Sequence, residues 1–165
     1  MKLLYSALIV SFLLLSASLL YAQRTLPDIQ VRTLEGQSID ITEHAENGKI
    51  TFMTFWATWC VPCRRELDAL TDIYDDWKEE FDIEIVAISI DDSRAVSRVR
   101  PMVQQNGWPF IIYTDTNQDL KNALNFQTIP QSFLIDQKGN IVYSHTGYVP
   151  GDEYELEDKI REIAK

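Results

Sequence analysis

Apart from Cys60 and Cys63 the chain contains no cysteine, and its only histidines are His44 and His145. A disulfide framework is therefore excluded, because a single bridge is all that two thiols can make. That bridge would close a loop of two intervening residues and constrain little of the unfolded chain, so a structural staple is a poor account of the pair. A structural zinc site needs about four ligands. His44 lies in the polar stretch "ITEHAENG" and reads as a solvated surface residue; His145 lies in "IVYSHTG" and reads as half-buried or exposed. A Cu(I) site built from the two thiols and His145 stays open, since soft ligands suit that ion. Otherwise no metal and no cofactor is expected. Basic residues are also scarce: 15 Lys and Arg stand against 25 Asp and Glu, for a net charge of −10. No basic stripe exists, so nucleic-acid binding is not expected. Repeats, low-complexity tracts and long linkers are absent, which points to one domain over residues 23–165.

Only one long apolar run is present. After Lys2 the chain carries no charge until Arg24, and residues 3–20 are mostly apolar. A positive start, an apolar middle and a small residue at the exit make a secretory signal over residues 1–22, cut after Ala22. Leu20, three residues before that cut, is larger than usual, and the run is long enough to span a bilayer, so a retained anchor is the alternative. With no cysteine there, lipid attachment to a thiol is excluded. Either reading places the domain outside the cytoplasm, where disulfides persist.

From residue 25 onward, short patterns alternate. "IQVRTLEGQSIDIT" reads as two strands about a Glu35–Gly36 turn. "KITFMTFWAT" is a buried strand that ends just before Cys60. Leu67, Leu70, Ile73, Tyr74, Trp77 and Phe81 form the apolar face of a helix of about twenty residues. Glu66, Asp68, Asp72 and the acids that follow are assigned to its opposite face. "IEIVAISI" is the next strand. Ser93 is expected to cap a helix through Val96, Val99 and Val103, which Pro101 would kink or end. "WPFIIYTD" is a strand and "NQDLKNALNF" a short helix with an Asn cap. "QSFLID" and "IVYSHTG" form a hairpin through Gly139. A last helix starts at an Asp152/Glu155 capping box. The pattern is α/β, a mixed sheet covered by helices.

The pair Cys60-x-x-Cys63 falls at the start of the long helix. Free N–H groups and the helix dipole stabilise a thiolate there, and Arg64 and Arg65 add positive potential. Cys60 is the candidate nucleophile. Cys63, one turn on and more buried, is the candidate resolving thiol. Val61 and Pro62 fit a first turn, where proline removes no needed donor.

"TFWATWCVPC", with the Ile129–Pro130 step of "TIPQSFLID" 67 residues after Cys63, resembles the thioredoxin superfamily. Within it, the N-terminal hairpin and the extra strand and helix before Pro130 resemble the TlpA/ResA-like extracytoplasmic thiol–disulfide oxidoreductases. The resemblance spans residues 25–164. It implies a thioredoxin-like fold: a mixed central sheet flanked by helices, with an N-terminal β-hairpin and an inserted strand–helix unit before the cis-proline strand. It implies a cis Pro130 beside the cysteine pair, and Trp59, Val61, Pro62 and Ile129 as the surface that meets substrate. Trp56 is expected in the core, and Phe126 and Tyr148 as packing. Thioredoxin's buried acid falls at Thr54 and is missing. The resemblance puts an assisting carboxylate just past the next strand, at Asp92. The implied partners are a disulfide-containing protein substrate, with apocytochrome c foremost, and a membrane thiol reductant. A monomer is expected, tethered to the membrane if the leading segment is kept. A dithiol oxidase of the same fold and a copper chaperone like the Sco proteins are the alternatives, though the latter use C-x-x-x-C. Paired cysteines at a helix start disfavour a peroxiredoxin.

Overall fold

The computed structural model describes residues 24–164, so the expected signal or anchor over residues 1–22 lies outside the described residues. Seven strands form one sheet: β1 (Gln30–Thr33), β2 (Ser38–Asp40), β3 (Ile50–Trp56), β4 (Ile83–Ser89), β5 (Ile111–Thr114), β6 (Gln131–Ile135) and β7 (Ile141–Thr146), in the order β2-β1-β5-β4-β3-β6-β7. β3, β4 and β5 run parallel, and the two hairpins add antiparallel edges, β1 against β5 and β6 against β3. Among the described residues five helices accompany the sheet: α1 (Glu43–Glu46), α2 (Val61–Phe81), α3 (Val99–Asn106), α4 (Asp119–Ala123) and α5 (Asp152–Ile163).

Every residue of β3 and of β6 is buried, so both faces of the central sheet are covered. Alternation along β3 assigns the faces. Thr54 points toward α2, where its hydroxyl meets Glu66. Phe55 points the other way, into an aromatic cluster with Phe126 and Phe133 at centroid distances of 4.7 and 6.0 Å. α2 and α5 are neighbours: the Trp77 indole donates to Glu157 at 3.2 Å, and Arg161 lies over the Phe81 ring. Among the described residues no helix is long and apolar enough to cross a membrane.

The elements fall where the patterns predict, with five local corrections. The four-residue α1 was not predicted, and its His44 is buried rather than solvated. The His44 Nδ1 lies 2.6 Å from Glu84 Oε1 and its Nε2 lies 3.0 Å from the Tyr113 hydroxyl. Ser93 caps no helix: a 3₁₀ turn, Val96–Arg98, precedes α3, and Pro101 sits inside the first turn of α3 rather than ending it. A first-turn proline lacks only an N–H that has no helical partner anyway. α4 has no Asn cap; Gln118 precedes it in the left-handed region at φ 60°. Asp152 is the first residue of α5 rather than its cap, with Gly151 before it. Glu66, assigned from the sequence to the solvent face of α2, is buried. The Gly139 turn is as expected, at φ 82°.

Candidate active site

β3 delivers the chain to the site. After Trp56 the loop Ala57–Trp59 turns once, with the Cys60 N–H donating to the Ala57 carbonyl at 3.0 Å. Asp91, fully buried just past β4, pins this loop. Its two carboxylate oxygens accept from the Thr58 N–H and the Thr58 hydroxyl, each at 2.8 Å, and from the Ser89 hydroxyl at 2.8 Å. Sequence reasoning singled out the neighbouring Asp92 and passed over Asp91. The available signal was position: Ser89 and Asp91 alternate onto one face as β4 ends.

Cys60 is the N-cap of α2, in an extended conformation, and Pro62 lies in the first turn. Its Sγ accepts the Cys63 N–H at 3.3 Å, the bond a Ser or Asp oxygen usually makes at this position. Cys60 and Cys63 are joined as a disulfide with Cα atoms 5.4 Å apart. Cys60 is 5% exposed and Cys63 fully buried, so only the first sulfur can meet a partner. Trp59 (66% exposed) and Val61 (47%) stand beside it as large apolar groups in water, and Pro62 is exposed with them.

Because β6 runs antiparallel to β3, the start of β6 lies level with the end of β3, with Phe55 opposite Gln131. This reversal carries Pro130 to the cysteines. The Ile129–Pro130 bond is cis. The Ile129 carbonyl oxygen is 3.9 Å from Cys60 Sγ, and the Pro130 carbonyl accepts the Gly147 N–H at 2.8 Å, which ties the turn to the end of β7.

Architecture and site together resemble known proteins along most of the chain. A family model described as the AhpC/TSA family matches residues 22–144. The chain belongs to the AhpC/TSA family. Among curated relatives it is similar to the thiol–disulfide oxidoreductase ResA of Bacillus anthracis, 34% identical over 116 residues, covering 70% of this chain and 64% of that protein. ResA of Geobacillus kaustophilus is 30% identical over 131 residues, 79% of this chain and 72% of that protein. The chain thus spans a little under two thirds of the first of these relatives. A thioredoxin-like protein from Porphyromonas gingivalis superposes with a TM-score of 0.75 at 39% identity, over 84% of this chain and 91% of that one. StoA of Bacillus subtilis superposes with a TM-score of 0.63 at 27% identity, over 79% and 98%. The fold is thioredoxin-like, as the resemblance implied.

The carboxylates near the pair separate into two kinds. Asp92 lies at the rim, in the cleft that Trp59, Ile90, Arg94, Arg98 and Gln118 also line. Its oxygens accept from the Arg94 backbone N–H at 2.9 Å and from the Arg94 guanidinium at 3.0 and 2.6 Å. Those bonds hold its carboxyl below the usual range. Glu66 is the opposite case. One turn beyond Cys63 on the same face of α2, it is 5% exposed. Its Oε2 accepts the Thr54 hydroxyl at 2.7 Å and its Oε1 the Ser132 hydroxyl at 3.1 Å. Burial pushes its carboxyl up to about 7, against the two hydroxyl bonds that favour the anion. Thr54, where an acid was missed, is the residue that receives Glu66. The overlooked signal was helical spacing: 63, 66, 70, 74 and 77 fall on one stripe.

His145 is half-buried on β7, bonded to Asp152 at 3.1 Å. Neither histidine joins the cysteines. Among the described residues, no three His, Cys, Asp or Glu side chains gather as a metal ion would require.

Proposed function

We propose that this chain is a thiol–disulfide oxidoreductase working outside the cytoplasm, and that it reduces protein disulfides. One observation carries the reading. A closable cysteine pair caps a helix, with its outer sulfur beside the carbonyl of a cis-proline step. In the reduced protein the Cys60 thiolate, held by the α2 N-terminus, attacks one sulfur of a substrate disulfide. The other substrate sulfur leaves with the bonding pair, and a mixed disulfide forms on Cys60. Cys63 then gives its proton to Glu66 and attacks Cys60 Sγ, releasing the second substrate thiolate. The substrate gains two electrons and two solvent protons; the pair becomes the disulfide. Trp59, Val61 and Pro62 supply the apolar contact surface, and Ile129 and Pro130 offer backbone to an extended substrate strand.

Proton transfer is assigned to Glu66, in place of the sequence expectation for Asp92. A general acid–base works best with a pKa near the operating pH. Glu66 has that value, whereas Arg94 keeps Asp92 ionised. A membrane thiol carrier would return electrons to the pair, and apocytochrome c, whose haem-attachment thiols must be free, is the leading substrate. The domain works as a monomer delivered by its leading segment.

The test is a trap. Cys63→Ala leaves the mixed disulfide unresolved on Cys60, and the attached proteins are identified after non-reducing electrophoresis. Partners with paired haem-attachment cysteines support the substrate proposed. Unrelated partners together with a strongly oxidising reduction potential would make the chain a dithiol oxidase. No partner at all, with one Cu(I) bound per wild-type chain, would overturn the enzyme reading.

A further inference from the structure

Glu66 must exchange a proton, yet it is nearly closed to solvent. Its neighbours across the sheet suggest the exit. Thr54 of β3 pairs with Ser132 of β6, and Ser132 pairs with His145 of β7. Residues directly opposite in adjacent strands share a face. The three therefore form a polar row beneath α2 and α5, with Glu66 over one end and His145 at the other.

Glu66, Ser132, His145 and Asp152 all line one cavity of about 20 Å³, whose wall also includes Tyr143, Tyr148, Glu153 and the apolar Phe52, Leu70 and Leu156. That is room for a single water, and the polar groups around it supply the two to four partners such a water needs. At the outer wall His145 Nε2 lies 3.1 Å from Asp152 Oδ2, which also accepts the Val149 N–H at 2.8 Å. Tyr143 stacks on the imidazole, and its hydroxyl is 3.4 Å from Nδ1. We propose that the His145–Asp152 pair is the solvent-side proton partner of Glu66, reached through one water molecule in this cavity.

The inference rests on the proton role given to Glu66 above. When Cys63 attacks Cys60 Sγ, its proton goes to the Glu66 carboxylate. Glu66 then passes a proton to the cavity water, which gives one to the Asp152 carboxylate or the imidazole, and bulk water takes it from there. No electrons move in this relay. An imidazole suits the outer station because its two nitrogens accept and donate at once. The other titratable groups facing the cavity are poorer carriers. The Tyr148 phenol, donating to Glu153 at 3.1 Å, is pushed up to about 12, first by burial and then by Glu153. Burial first, then Glu155, raise the Tyr143 phenol as well. Glu153 is occupied by Tyr148 and by the Gly151 N–H. The Glu66 carboxyl is itself raised by the Asp152 charge, behind the larger effect of burial.

The experiment uses the full chain, reduced, in single-turnover reaction with oxidised glutathione across pH 6 to 8. His145→Ala should slow resolution roughly a hundredfold near neutrality, the lower end of what a positioned proton transfer contributes, and added imidazole should restore the rate. His145→Gln keeps a donor to Asp152 without carrying a proton and should be slow and not rescued. If His145→Ala fails to fold by circular dichroism, the glutamine variant alone decides. Wild-type rates and pH profiles in both, beside a slow Glu66→Gln, would overturn the relay and leave Glu66 standing. A wild-type rate in Glu66→Gln would remove the proton role itself.

Discussion

Replacing Glu66 by Gln should flatten one part of the stability–pH curve of the oxidised protein. The folded carboxyl titrates at about 7, while in the unfolded chain it returns to about 4.5. Between those values the folded state holds a proton that the unfolded state has released. Stability from this group is therefore full below pH 4.5, falls as pH rises toward 7, and levels off above. At about 1.4 kcal/mol per pH unit, the whole window is worth about 3 kcal/mol. The isoelectric point is near 4.6, so the measurement belongs above pH 5.5, where net charge favours solubility. About 2 kcal/mol of the decline remains there. Glutamine has nearly the same shape, and one of the Thr54 and Ser132 hydroxyls can turn to accept from its NH2 while the other keeps donating to its carbonyl, so neither end of the amide is stranded. Urea unfolding of the disulfide form at pH 5.5 and 8, in both proteins, gives the difference directly, since the other titrating groups are shared. The wild type should lose about 2 kcal/mol more than the variant. Parallel declines would refute the raised carboxyl and, with it, the choice of Glu66 as the proton acceptor.

Asp92→Asn should leave the neutral pH–rate profile of disulfide exchange in place, because Arg94 already keeps that carboxyl ionised; a shifted profile would return the proton role to Asp92. Asp91→Ala should do the opposite, slowing exchange and lowering thermal stability, since the Thr58 N–H and hydroxyl that shape the loop before Cys60 lose their acceptor. Phe55→Ala should cost about 3 to 5 kcal/mol in urea unfolding, by opening a cavity among Phe126 and Phe133. Gly139→Ala should lower the melting temperature, because its Cβ would meet the Ala45 carbonyl oxygen at 2.9 Å with φ at 82°.

Much of this was legible before any coordinates. Runs rich in β-branched and aromatic residues announce β3 and β4, since strands buried on both faces need no strict alternation. The cysteine pair and its helix start were readable because each has a local signature, whereas cis Pro130 came from the resemblance. The misreadings share a cause: burial decided by a distant strand. Glu66 looks solvated beside Asp68 and Asp72 until Thr54 and Ser132 arrive from β3 and β6 to bond it. His44 looks polar and exposed until Glu84 and Tyr113 close over it from β4 and β5. Asp92 is a different case, since it was named because the resemblance puts a carboxylate just past β4. There Asp91 turns inward to Thr58 while Asp92 bonds Arg94. Caps were the other weak point, because Ser93 and Asp152 carry the right side chains but the backbone places helix starts elsewhere.

The capping sulfur of α2 has a further consequence. Helices are usually capped by oxygens whose acceptor strength is fixed. Here the cap is Cys60 Sγ, a weak acceptor in the disulfide and a charged one as a thiolate. Each reduction therefore strengthens the first turn of the helix that carries Glu66, and each oxidation loosens it. The Cys63 amide becomes a gauge of the electron count, its hydrogen exchange slowing when the pair is reduced.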